Sequence, residues 1–143
     1  MINILNGINA TSSALNAERI RMEVISQNIA NANTTHDVDG KPYQRQQVVF
    51  ERMLDQQQAL NGSGVGSSSV QVARIEKDSR APNLVYSPGH PDADANGMVA
   101  TPNISIHEEM ADMIVSSRAF EANLAVVRNA RSMALQTLAI GKR

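Results

Sequence analysis

A single apolar stripe runs through the last third of the chain and sets the scale of anything it can fold into. Ile106, Met110, Met113, Phe120, Leu124, Val127, Ala134 and Leu138 recur at the three- and four-residue steps of one helix face. A helix from Ile106 to Ala139 spans roughly 50 Å at about 1.5 Å of rise per residue. A compact domain of 143 residues requires nothing so long. The start is equally well marked. Ser105-Ile106-His107-Glu108 has capping-box spacing, in which the Ser and Glu side chains each satisfy an orphan backbone N–H. Glu108, Glu109 and Asp112 lie in the first turns, Lys142 and Arg143 follow the end, and Gly141 reads as the stop, as the helix dipole and C-capping favour.

Residues 1 to about 33 carry a second helical pattern. Ile4, Ile8, Thr11, Leu15, Met22, Ile25 and Ile29 fall on one seam, with a single seven-residue step across Glu18. Glu18 therefore sits in the seam, where either it pairs with an arginine or the seam is only partly dry. This helix is intrinsically weak. Its segment holds seven asparagines (Asn3, Asn6, Asn9, Asn16, Asn28, Asn31, Asn33), whose side chains compete for backbone hydrogen bonds. Gly7 costs about a further 1 kcal/mol relative to Ala. Packing against other helices must hold it. Glu18, Arg19, Arg21 and Glu23 are its only ionisable side chains before residue 34, fewer than a water-facing helix normally carries. Contact on several sides accounts for that.

Between these helices, residues 34–104 change character. Asp39-Gly40-Lys41-Pro42 reads as a turn, Tyr43 to Phe50 as a strand, and Val70-Gln71-Val72 as a short alternating strand. Residues 61–69, Asn61-Gly62-Ser63-Gly64-Val65-Gly66-Ser67-Ser68-Ser69, have the composition of a flexible loop. Ala81 to Pro102 is proline-rich and reads as extended segments and turns. The expected fold is mainly α: long N- and C-terminal helices (residues 1–33 and 105–143) able to pair antiparallel or nearly so, with a small extended or β insert as a lateral knob.

Composition removes several functional classes. Two Tyr, two Phe and no Trp are few for a self-sufficient core. The net charge is −1 and the basic residues do not cluster, which argues against nucleic acid. No cysteine means no disulfide, thiolate metal site or cysteine nucleophile. No run approaches the roughly 20 apolar residues of a membrane helix, and the amino end lacks the features of a cleavable signal peptide. His90-Pro91-Asp92-Ala93-Asp94 offers one imidazole and two carboxylates, but too few ligands for a divalent cation, and it reads as a turn. Glu108 and Glu109 point about 100° apart on a helix and do not share a site. The glycines at 62, 64 and 66 are followed by no lysine, so no phosphate loop is present. No enzyme, cofactor, metal or small-molecule substrate is expected.

Several blocks, in order, resemble one known family. Ile25-Ser26-Gln27-Asn28-Ile29-Ala30-Asn31-Ala32-Asn33-Thr34 is similar to the asparagine-rich motif shared by flagellar rod, hook and hook-associated proteins. Asn103-Ile104-Ser105-Ile106 followed by Glu108-Glu109-Met110, and Ser116 to Asn123, resemble the family's carboxyl-terminal helix. Gly40-Lys41-Pro42-Tyr43-Gln44-Arg45-Gln46, Pro88-Gly89-His90-Pro91-Asp92-Ala93-Asp94 and the ending Ala134 to Arg143 point to a short, proximal-rod type of member. Lys41 stands where the family often has a second glycine, and Met98 where an aromatic is common. The resemblance implies terminal helices that pair as a coiled coil lining the axial core of a rod. It implies assembly in the periplasm with copies of itself and other rod proteins, after passage without cleavage through the flagellar type III export apparatus. Of a different class is the alternative of a helical adaptor or export chaperone working as a soluble dimer.

Overall fold

A computed structural model describes residues 2–37, 39–54 and 68–141. Helix α1 (Ile2–Ala30) is followed by strands β1 (Gln46–Leu54), β2 (Ser68–Lys77), β3 (Asn83–Tyr86) and β4 (Met98–Thr101), and helix α2 (Ile106–Ile140) ends the order. Most of the glycine/serine stretch 61–69, and Lys142 and Arg143, lie outside the described residues. So does the side chain of Ile4.

Local chemistry explains where the helices stop and start. Ser105, in an extended conformation, accepts the Glu108 N–H on its side chain at 3.4 Å. That is half of the capping box; among the described residues the Glu108 carboxylate makes no return bond. At the end of α1 the Asn31 amide donates to the Gln27 carbonyl at 2.9 Å and its oxygen accepts from the Thr34 hydroxyl at 3.2 Å. An asparagine that would weaken a helix interior thus closes the last turn. α2 reaches Ile140, where the Gly141 N–H bonds back to the Thr137 carbonyl at 3.2 Å.

The insert is more regular than its sequence suggests. β1 and β2 form an antiparallel ribbon from Gln46↔Lys77 to Leu54↔Ser68, its register shifting between Val49 and Phe50. The strand expected from Tyr43 begins at Gln46, because the Tyr43 N–H is taken by the Thr34 carbonyl at 3.1 Å. The short strand expected at Val70–Val72 runs on to Lys77. There Arg74, Glu76 and Lys77 hide the alternation. β3 and β4 make a second antiparallel ribbon, Asn83↔Thr101 to Tyr86↔Met98. A fold described as mainly α is therefore corrected. The helices, of 29 and 35 residues, take somewhat under half of the 143, and two two-stranded ribbons fill the insert.

α1 packs along α2 on one side and against β1 and β2 on another. The helices are antiparallel: Asn28 meets Glu109, and Arg21, two turns back, meets Asp112 farther along α2. The buried apolar residues among those described are Ala17, Val24, Ile25, Ala32 and Val99, with no aromatic among them. This core is small, and the surface is correspondingly large. The structure exposes 10447 Å², whereas a compact monomer of this mass exposes about 7,200 Å².

Candidate assembly site

A tightly built polar cluster joins the last turn of α1, the segment entering β1 and the first turns of α2. Asn28, 1% exposed, lies at its centre and uses all four of its hydrogen-bonding positions. Its Nδ2 donates to the Gln46 carbonyl at 2.8 Å and to Glu109 Oε2 at 3.0 Å. Its Oδ1 accepts from the Gln46 N–H at 2.9 Å and from the Tyr43 hydroxyl at 3.1 Å. The side chain thereby treats Gln46 as a neighbouring strand would, taking its N–H and its carbonyl together. Glu109 is fully buried and accepts from Arg45 Nε at 2.6 Å. Arg45 and Arg21 each place an Nη2 3.8 Å from an Asp112 oxygen. Burial, then the charges of Glu109 and Asp37, raise the Tyr43 phenol above its ordinary pKa, so it stays a donor.

Sequence reasoning read Glu109 as a first-turn charge and Arg45 only as part of the family motif Gly40 to Gln46, without linking the two. The missed signal is phase. Glu109 stands four residues before Met113, on the line Glu109, Met113, Ser116, Phe120, Asn123 and Val127, which steps four and three alternately. Every member of that line is buried or half-buried. An acid on a helix seam needs a cation, and Arg45 supplies it.

The other seam residues fall in graded positions. Ile25 is buried, and Ile8, Leu15, Met22 and Ile29 are half-buried along α1. On α2, Met113, Phe120, Leu124 and Val127 are half-buried, while Ile106, Met110 and Leu138 are 39%, 53% and 65% exposed. α2 also exposes Ile114, Val115, Val126, Met133, Leu135 and Ile140, which lie on other faces of the helix. No described side chain beyond Ser116 on α2, or from Gly7 to Asn16 on α1, is buried. The clasped end of the pair is ordered by burial; the distal end has almost none. Glu18 has not found an arginine: its Oε2 is buried without a hydrogen-bond partner among the described residues, as is Ser116 Oγ.

The turn from Pro88 to Asp94 shapes the second ribbon. Asp94 Oδ1 accepts from the N–H groups of Asn96 and Met98 at 2.8 and 2.9 Å, and the Asp94 N–H reaches the Met98 carbonyl at 2.8 Å. Gly97 completes it at φ 79, where an added Cβ would sit 3.0 Å from Tyr86 Cε2. Asp92 accepts from the Thr35 hydroxyl at 2.7 Å, with the imidazoles of His36 and His90 at 4.0 and 3.9 Å. This ties the turn to the segment after α1. Pro88, Gly89, Pro91 and Asn33 are exposed. Among the described residues no group of three His, Cys, Asp or Glu could hold a metal ion, and no helix is long and apolar enough to cross a membrane.

Two antiparallel terminal helices with uncovered apolar faces, α1 carrying a small β insert on its other side, have the form of an assembly subunit. Comparison with known proteins gives that class a family. Residues 8–35 match the family "Flagella basal body rod protein", and residues 95–140 match "Flagellar basal body rod FlgEFG protein C-terminal". The chain is similar to "Flagellar basal-body rod protein FlgC" of Borreliella burgdorferi, 41% identical over 96% of this chain and 97% of that one. Its similarity to the FlgC of Bacillus subtilis is 38% over 96% and 97%, and to that of Salmonella typhimurium 39% over 97% and 98%. The chain belongs to the FlgC family of flagellar basal-body rod proteins, structural subunits rather than enzymes.

Proposed function

We propose that the chain builds the proximal rod of the bacterial flagellar basal body, within the periplasmic space, packing with copies of itself and with other rod proteins into a helical tube. In this reading residues 1–33 and 105–143 pair as a coiled coil in the axial wall, and residues 34–104 form the lateral insert. The observation that carries it is α2, apolar on several faces and without a buried residue after Ser116. Apolar residues on several faces of one helix are more than a single partner helix can cover, and call for further neighbours.

The same weakness suits delivery. A chain whose distal helices gain their packing only at the growing end passes the flagellar export apparatus unfolded, without a cleaved signal peptide, and orders on arrival. The test is deletion of the gene followed by electron microscopy of purified basal bodies. Membrane rings without a completed rod or hook, restored by the wild-type gene, support the reading. Normal rods and filaments would overturn it and favour a soluble helical adaptor.

A further inference from the structure

The rod reading says that copies pack together but not which faces meet. Two stripes of this chain remain incompletely covered, and both repeat with the seven-residue period of paired helices. On α1, Leu15, Glu18, Met22 and Ile29 are only half-buried although α2 lies alongside. On α2, Val115, Ala119, Ala122, Val126, Met133 and Ile140 form a stripe about a third of a turn from the line Glu109–Val127, and Val115, Val126, Met133 and Ile140 are all more than half exposed. The two alanines leave room for a close helix approach.

Charge selects how these stripes fit. Glu18 lies in the α1 stripe, and its Oε2 is buried with no partner among the described residues. The described residues of its own chain supply none: Arg19 is held by Asn16 at 3.1 Å, and Arg21 faces Asp112. Arg118 flanks the α2 stripe on the side away from α1, is exposed, and has no ion pair among the described residues. We propose that the outer α2 stripe of one copy docks into the half-open groove between α1 and α2 of a second copy, where its Arg118 pairs with the waiting Glu18. The surfaces differ, so the contact is heterologous; repeated, it generates an open helical array rather than a closed dimer.

This inference rests on the rod reading, and its test separates the two. The chain has no cysteine, so two differently tagged copies, one Glu18→Cys and one Arg118→Cys, are co-expressed in the deletion strain and oxidised mildly. Because each copy carries one thiol, no link can form within a chain. A mixed-tag dimer in purified basal bodies is expected. Links only between like variants, or none while rods form normally, would overturn the contact and leave the rod reading standing. Loss of the chain from basal bodies that are otherwise complete would end both. A charge exchange guards against a folding artefact. Arg118→Glu, at an exposed position, should abolish motility, and Glu18→Arg with Arg118→Glu in one chain should restore it at least tenfold over either single change. No recovery would count against the pair.

Discussion

Replacing Arg45 with Met tests whether the polar clasp is held by charge or merely contains it. Arg45 and Glu109 side chains are 16% and 1% exposed, and their contact is 2.6 Å. Removing the guanidinium leaves a buried carboxylate with only the Asn28 amide as partner. Breaking such a pair costs about 3–5 kcal/mol, a large share of the roughly 5–15 kcal/mol that holds a domain together. Glu109→Gln is milder, because the amide keeps an acceptor for Arg45 or Asn28, and losing the charge costs about 1–2 kcal/mol. The double variant Arg45→Met/Glu109→Gln removes both charges and should be more stable than Arg45→Met alone by about 1–3 kcal/mol. Hydrogen exchange at the Gln46 N–H and in the first turns of α2 reads each variant where the clasp closes. Equal costs for the single changes, adding without coupling in the double, would refute the buried-pair reasoning.

Asn28→Asp keeps the shape but turns a donor towards Glu109 into a second carboxylate, and should cost more than Asn28→Ala, by about 1 kcal/mol or more, in the same exchange assay. Tyr43 has its folded pKa raised above the ordinary 10.0. Its contribution is therefore complete below that value and is lost as pH rises through the folded pKa; alkaline unfolding followed by phenolate absorbance should show this, and Tyr43→Phe should flatten it. Gly97→Ala forces a left-handed residue and a 3.0 Å contact onto Tyr86, so the β3–β4 ribbon should lose about 1–3 kcal/mol, read as faster exchange at the Ser87 and Met98 N–H groups. Leu124→Asp, half-buried where α2 has little else, should block rod growth while leaving the clasped end folded; normal rods by electron microscopy would remove Leu124 from the assembly surface.

What the sequence made legible is local. Ser105 marks the start of α2 because caps are short-range chemistry, and apolar steps place both helices within a few residues. β2 runs past Val72 through Arg74, Glu76 and Lys77, polar on both faces of a ribbon too thin to bury either, so no alternation marks its end. The clasp was illegible for another reason. It unites residues 28, 43 to 46 and 109, separated by as many as 81 positions, and no spacing rule links an asparagine to a strand entry across that distance. Glu18 was legible as a problem: a carboxylate in an apolar seam. Among the described residues no cation answers it.

In the assembled rod the distal halves of α1 and α2 would gain their burial from neighbouring subunits. Hydrogen exchange on the purified chain and on the same chain within isolated basal bodies tests it most directly. Exchange should be rapid across residues 117–140 in the free chain, slower near Asn28 and Glu109, and strongly suppressed throughout once assembled. Equal protection of residues 117–140 in both states would contradict it, since the helix would then be stable without the partners its exposed faces require.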